Sequence, residues 1–345
     1  MKVLVVNNMA PFVWGGAEEL AVHLKRNLIA AGHESEVLRI PFQWEPATCI
    51  PSQILLVRAL ELWNVDRVIA LKFPAYFIRH PRKTLWLLHQ YRQAYDLFDV
   101  GQTNLPVGED GEAIRRLIMA ADQDALQESQ HVYTNSQITQ SRLKKYNGFD
   151  SKVLLPPLND PELFTGGASE GYIFAGGRIN DMKRQHMLVK AMAKASISAR
   201  LVIGGPPDSP TDARKLQELV EHLGLQDRVK LDLCFLPRSK YAAYINAACA
   251  VAYLPFDEDS LGYVAMEAAI AGKALITSRD SGGVLGLVRP GETGWVVDPD
   301  VDSLAQAISA ASANRVTTAR LGEGTRLLWS KMGVTWPSTV EALLK

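Results

Sequence analysis

Three acidic residues crowd one loop of this sequence, Asp257-Glu258-Asp259, and a further carboxylate, Glu267, follows eight positions after the last. They lie within Cys249 to Ser278, CAVAYLPFDEDSLGYVAMEAAIAGKALITS. The apolar run Cys249 to Leu254 predicts a buried parallel strand, and Pro255 ends it. Gly262 opens a small-residue helix that carries Glu267, Gly272 stops that helix, and Ala274 to Thr277 is the next strand. Asp259 and Glu267 therefore flank a helix N-terminus at the carboxyl end of a strand, where open α/β sheets bind ligands. Free amides near Leu261, Gly262, Tyr263 and Val264 suit a phosphate. Two carboxylates beside a phosphate would repel it, so they should face hydroxyls, which sugars supply. A phosphate with hydroxyls on either side describes a nucleotide sugar.

This stretch resembles the acidic signature of glycosyltransferase family 4, retaining enzymes of the GT-B fold. Asp259 stands in the first acidic position, where Glu is usual, and Glu267 in the second. The likeness spans essentially the whole chain and is strong from 172 to 300. It implies a glycosyltransferase of the hexosyltransferase class, moving a sugar from a nucleotide-diphosphate sugar to an acceptor hydroxyl. It further implies retention, no metal ion, and a setting such as cell-envelope polysaccharide or glycolipid synthesis. Asp259 would hold the transferred sugar and Glu267 the ribose.

Arg178 and Lys183 are the second constellation. They follow the strand Tyr172 to Ala175 and the turn Gly176-Gly177, just before or inside the first turn of a helix over Lys183 to Lys194. Cations normally favour helix C-termini, so two at an N-terminus call for an anion. Single basic residues are usually solvated; the shared placement of these two favours the anion site. The resemblance directs a matching pair at the leaving diphosphate. It also assigns Gly177 and Gly205, which end strands, to the donor site, and Phe235 and Leu236 to the base, held largely through backbone groups. By residue type alone, Cys234-Phe235-Leu236 reads as core packing. Gly282-Gly283 resembles a family pair beside the diphosphate, but Gly286 stands where the family carries a Glu.

The first half must supply the remaining positions. Val3 to Val6 is a strand, Gly15-Gly16-Ala17-Glu18 enters a helix from about Ala17 to Ala31, and His33 to Ile40 is a second strand. The loop lacks both the G-x-G-x-x-G and the G-x-x-x-x-G-K pattern. Its glycines fit a tight turn needing φ > 0 or a phosphate cradle; the resemblance places Gly15 and Gly16 in the cleft on the acceptor side. Val65 to Ala70 and Thr84 to Leu88 are further strands. His89 follows the second of these, and its type leaves structural and catalytic roles open. In the family a His there lies near the transferring sugar. Lys72 to Lys83 mixes aromatic and basic residues, which could suit an anionic membrane surface; a solvated loop with a few packed rings is the preferred reading.

Pro156 to Gly171, rich in Pro, Gly and small polar residues, marks a boundary. The expected architecture is α/β: two Rossmann-like parallel-sheet domains, 1–160 for the acceptor and 161–325 for the nucleotide-sugar donor, facing across a cleft. A last helix within 326–345 should return to the first domain.

Bulk properties narrow the class. The 345 residues exceed what one core supports. Formal net charge is zero, against a general nucleic-acid binder. Three unpaired-looking cysteines fit a reducing compartment, with Cys234 and Cys249 read as packing residues. No apolar run reaches a membrane span, and Lys2 to Val6 is not a signal sequence. The expectation is a cytoplasmic protein, with allowance for peripheral contact at the inner face of the plasma membrane. No cofactor is expected, the nucleotide sugar being a substrate; the partner is a glycan, lipid-linked or small-molecule acceptor. Asp257-x-Asp259 could be a metal pair, but Arg178, Lys183 and a helix N-terminus already neutralise a diphosphate. No zinc spacing and no G-x-S-x-G occur. The rivals are a non-catalytic nucleotide-sugar binder on the same fold and an NAD(P)-dependent oxidoreductase. The second lacks its glycine fingerprint and has Arg39-Ile40 where an acidic residue should end the second strand. Base, sugar, acceptor and oligomeric state are not legible.

Overall fold

Val3, Val5 and Val6 are all buried in the first strand, as a run apolar on both faces requires when helices cover both sides of a sheet. The same logic builds two sheets in the computed structural model, which describes residues 1–345. The chain forms two units, residues 1–157 with 334–345, and residues 158–333.

The first unit runs β1 (Lys2–Met9), α1 (Gly16–Ala30), β2 (Glu34–Pro41), α2 (Ile50–Arg58), β3 (Arg67–Ala70), β4 (Lys83–Leu87), α3 (Asp96–Asp99), α4 (Glu109–Gln127), β5 (His131–Thr134), α5 (Gln137–Asn147) and β6 (Lys152–Val153). The second runs β7 (Ile173–Gly176), α6 (Gln185–Lys194), β8 (Leu201–Gly204), α7 (Pro210–His222), β9 (Val229–Asp232), α8 (Arg238–Ala247), β10 (Ala250–Ala252), α9 (Tyr263–Ile270), β11 (Ala274–Ser278), β12 (Gly294–Val297), α10 (Val301–Ala313) and α11 (Arg315–Met332). Then α12 (Trp336–Leu343) joins the first unit.

The sheet orders are β2-β1-β3-β4-β5-β6 and β12-β11-β10-β7-β8-β9, and every pairing is parallel. Both are doubly wound, with the chain reversing direction between β1 and β3 and between β7 and β10. Local signals set many element ends. Ser136 caps α5 by accepting from the Thr139 amide at 3.1 Å, and Gly148 closes it at φ 64°.

In the first unit α12 lies against α1. Thr84 Oγ1 donates to the Leu343 carbonyl at 3.1 Å and the Tyr133 hydroxyl to that of Ala342 at 3.0 Å. Leu343 and Val340 join a cluster with Leu20, Leu24 and Trp86. The rings of the Lys72–Lys83 segment are packed, as the preferred reading has it, and the burial extends beyond a few rings: Phe73, Tyr76, Phe77 and Ile78 are all buried, while Arg79 and Arg82 stay exposed. Phe73 packs edge-on to Phe77 with ring centroids 5.2 Å apart. Those rings are unavailable to a membrane surface. No helix is long and apolar enough to cross a membrane.

Beneath these rings, buried Asp122 accepts from the hydroxyls of Tyr76 (2.7 Å) and Tyr95 (2.6 Å). Burial raises its carboxyl to about 7, against the pull of the two phenols. The folded protein therefore holds a proton that the unfolded chain, with an ordinary carboxyl near 4, has already lost. Between about pH 4 and 7 this residue makes stability fall as pH rises, by up to about 1.4 kcal/mol per pH unit. Asp122→Asn should remove that slope. Denaturant midpoints of the two proteins across pH 4–8 check this; parallel curves would disprove it.

Candidate functional site

The reversal in the second sheet puts the carboxyl ends of β7 and β10 side by side, the place where doubly wound sheets take ligands. β7 ends on Gly176 and continues to Gly177 at φ 100°. Side chains are excluded here by space as well as by φ. A Cβ on Gly176 would fall 2.2 Å from the Tyr241 hydroxyl, and one on Gly205 (φ 151°) 2.0 Å from the Gly177 carbonyl. Gly177 itself lies against Val264 in the first turn of α9, with 3.4 Å between its Cβ position and Val264 Cγ2. A bare backbone strip thus runs between α8 and the start of α9.

Gly262 is the N-cap of α9 at φ 76°. Its absent Cβ leaves room for the Tyr253 ring, which would otherwise stand 2.4 Å away. The Tyr253 hydroxyl accepts from Lys183 Nζ at 3.0 Å. Lys183 also forms a short ion pair with Glu258. Burial works against the ammonium, but Tyr253 and Glu258 outweigh it and hold its pKa above the usual lysine value. Lys183 does not begin α6, as the sequence predicts. It closes a separate 3-10 turn, Asp181–Lys183, capped by Asn180, whose side chain accepts from the Lys183 amide at 2.9 Å. A left-handed residue, Arg184, separates that turn from the helix.

Arg178 directly follows Gly177 and is half-exposed, paired with both oxygens of Asp208 at 3.2 and 3.3 Å. Glu267 is buried. Its Oε1 pairs with Arg238 at 2.5 Å, while Oε2 is enclosed without a hydrogen-bond partner. Burial raises the Glu267 carboxyl, and the Arg238 charge opposes that rise. The glycine strip connects these parts: Gly176 touches Tyr241, Gly177 touches Val264, and Lys183 reaches Gly262 through Tyr253.

Asp259 is half-buried in the loop before α9, and Leu261 is buried. That loop is clamped against Gly282-Gly283. The Gly283 amide donates to the Glu258 carbonyl at 2.8 Å, and a Cβ on Gly282 would stand 2.3 Å from the same carbonyl oxygen. Gly286 lies beside Leu261, its Cβ position 3.1 Å from Leu261 Cδ2. Leu236 is buried, as its type suggests, but Phe235 is 76 % exposed and Cys234 is exposed too. The core-packing reading fails for both because β9 stops at Asp232 and the chain turns outward.

In the first unit, Gly15 is the N-cap of α1 and Gly16 its first residue. Gly15 has φ −152°, so the tight-turn reading that requires positive φ is incorrect. Glu18 turns back to accept from the Gly15 amide at 2.9 Å. His89 follows β4, half-buried, with Nδ1 2.8 Å from the Gln90 carbonyl. Desolvation, aided by Lys72, lowers its pKa to about 3, so the ring is neutral. A carbonyl only accepts, so Nδ1 carries the proton and Nε2 is left as an acceptor.

Arg238, Tyr241, Tyr253 and Asp208 escaped the sequence reading, as did Arg184, and Glu258 was read only as one of the crowded acids. Arg184 sits at φ 54°, yet its buried guanidinium donates to the carbonyls of Leu254 (2.7 Å) and Pro255 (2.9 Å) and to both oxygens of Asp280 (2.8 and 2.9 Å). It ties the Lys183 turn to the loop that follows β10. Arg184→Ala should lower stability by about 3 kcal/mol, because it strands buried carbonyls and a partly shielded carboxylate. The urea midpoint checks this, and an unchanged midpoint would refute it. The left-handed backbone and the adjacent cation pair are the only local hints that position 184 is special.

No group of three or more His, Cys, Asp or Glu residues gathers as a metal site would require. Residues 167–327 match the family described as glycosyl transferases group 1. A D-inositol 3-phosphate glycosyltransferase from Stackebrandtia nassauensis is 27% identical over 284 residues, 75% of this chain and 62% of the relative. This chain thus spans less than two thirds of that relative's length. Sucrose-phosphate synthase from Thermosynechococcus elongatus superposes with a TM-score of 0.76 at 18% identity, over 99% of this chain and 97% of its own. Anabaena HepE, solved in complex with UDP and glucose, gives 0.71 at 17% identity, over 99% and 98%. Residues 167–327 thus resemble the glycosyl transferases group 1, and along its whole length the chain takes the GT-B fold.

Proposed function

We propose that this protein transfers a sugar from a nucleotide-diphosphate sugar to an acceptor hydroxyl, with retention and without a metal ion, in the synthesis of an envelope polysaccharide or glycolipid. One observation carries the reading. A charged lysine, a glycine-capped helix N-terminus and a buried carboxylate with one unpartnered oxygen meet along a bare glycine strip at the carboxyl end of a doubly wound sheet. Amides of α9 and Lys183 suit the diphosphate, and Arg178 follows the strip directly. Glu267, whose enclosed Oε2 has no hydrogen-bond partner, is assigned to a ribose hydroxyl. Asp259 holds hydroxyls of the transferred sugar, and the exposed Phe235 flanks the base. As the glycosidic bond breaks, negative charge grows on the diphosphate, and fixed positive groups lower the barrier there. In the first unit, His89, neutral with Nε2 left as an acceptor, offers a hydrogen bond rather than a charge to any hydroxyl that unit binds.

The relative named for D-inositol 3-phosphate and the neighbour solved with UDP and glucose make UDP-sugars and an inositol phosphate sensible first choices of donor and acceptor. Thermal unfolding with UDP-, GDP-, ADP- and CMP-sugars tests the reading. A matching donor at 100 times its Kd should stabilise the fold by about 2.7 kcal/mol. Release of free nucleotide from that donor then separates a transferase from a non-catalytic binder. If no donor shifts the transition and none is turned over, the proposal fails.

A further inference from the structure

Both cations assigned to the diphosphate are already engaged by carboxylates of the chain itself. Lys183 pairs with Glu258, and Arg178 with Asp208. We propose that Glu258 and Asp208 are displaceable counter-ions, which the incoming diphosphate must push aside and which return to expel the spent nucleotide diphosphate. This inference rests on the nucleotide-sugar reading of the site.

The geometry separates these pairs from a structural ion pair close by. Arg184 is 10% exposed, and its grip on Asp280 is reinforced by two backbone carbonyls and by Ser278, whose hydroxyl bonds both partners. That pair is held in place from the arginine side. Asp280, Glu258 and Asp208 are alike in exposure, at 31%, 30% and 34%. The difference lies in the cations, because Lys183 Nζ and Arg178 Nη1 bond no backbone carbonyl, so each of their carboxylates can swing into water while its backbone stays fixed. Glu258 is fixed by its own amide to the Ser281 carbonyl (3.3 Å) and by its carbonyl to the Gly283 amide (2.8 Å). The Asp208 amide donates to Ile179 at 3.0 Å. Each carboxylate is thus anchored through its backbone within one side-chain length of its cation, and Asp208 also accepts from Asn180 Nδ2 at 2.8 Å.

The chemistry of exchange follows. A diphosphate carries more charge than a carboxylate and adds the amides of α9 as donors, so it wins the two cations. The displaced carboxylates remain nearby and repel it. Repulsion from a like charge at this range weakens affinity without touching any contact to the sugar or the base. Once the sugar has left, the carboxylates compete for the same cations and favour release, a step that limits many enzymes.

Calorimetric titration with UDP and with inorganic pyrophosphate tests this on the full chain. Glu258→Gln and Asp208→Asn each keep side-chain size but remove the competing charge. Each should tighten binding of both probes by about tenfold, the scale of one close charge pair at a partly solvated site. Asp302→Asn, which breaks the exposed Lys194–Asp302 pair, should leave both affinities unchanged. In turnover, Glu258→Gln should show stronger inhibition by UDP. Wild-type binding with no tightening in either variant would overturn this inference alone. If neither probe bound the wild type or either variant, this inference and the site reading beneath it would fall together.

Discussion

Lys183→Ala should remain folded and lose about 100–1,000-fold in the rate of donor turnover, the usual cost of removing one preorganised donor from a developing anion. The substitution removes the ammonium that contacts the Tyr253 hydroxyl and the Glu258 carboxylate. Its effect is doubled in kind, since Glu258 is left without a counter-ion beside the place assigned to the diphosphate. Two companions make the result specific. Lys183→Arg keeps the charge but replaces a compact ammonium with a broad planar fork, so it should recover only part of the rate. Lys183→Ala combined with Glu258→Gln should outperform Lys183→Ala, because the stranded negative charge is gone. Free nucleotide released from a UDP-sugar, measured alongside the thermal transition, gives the answer. Wild-type turnover by a folded Lys183→Ala would remove this lysine from the mechanism.

Glu267→Gln should instead act on donor binding. Gln keeps the volume of a buried side chain but loses the charge that pairs with Arg238 and would accept from ribose. Hydrogen bonds to a charged group are worth about 1.5–3 kcal/mol, so KM for the donor should rise about 10–100-fold. The ribose does not react, and its contacts are the same in ground and transition states. The fall in kcat should therefore be small. A 2′-deoxyribose donor closes the argument. It should bind the wild type far more weakly than the normal donor, yet bind Glu267→Gln nearly as well as the normal donor does. Equal discrimination by both proteins would move Glu267 out of the ribose site and leave it as the partner of Arg238.

Much of the fold was legible because its signals are local. Buried parallel strands read as short apolar runs, and residues such as Ser136, Gly148 and Gly272 mark helix ends by their own chemistry. α11 was missed for an equally physical reason. Its Gly322 and Gly324 depress helix propensity, yet a Cβ on either would stand 2.1 Å from a backbone carbonyl, of Gly272 and Glu292 respectively. They serve close packing against the strand layer, which no local pattern reveals. α2 was also unread, although Pro51 near its start is a familiar helix-opening residue.

Within the candidate site, Arg178, Lys183, Gly262 and Glu267 stood out by their spacing. The residues they pair with did not. Asp208 lies 30 positions from Arg178, Glu258 75 from Lys183 and Arg238 29 from Glu267. A carboxylate that will meet a given cation looks like any other acidic residue until the sheet brings them together. Exposure was equally illegible at Phe235, where one shorter strand turns a would-be core ring outward.

The docking of α12 on the first unit has a consequence for biosynthesis. Residues 334–345 leave the ribosome only after the whole of 158–333 has been made, so the unit begun first is the one finished last. Until then the nascent chain carries an uncovered apolar seat around Leu20, Leu24 and Trp86, while the contiguous unit 158–333 needs nothing further to close. Vectorial synthesis, which ordinarily lets N-terminal domains mature early, here leaves the leading half without α12 until residues 334–345 emerge.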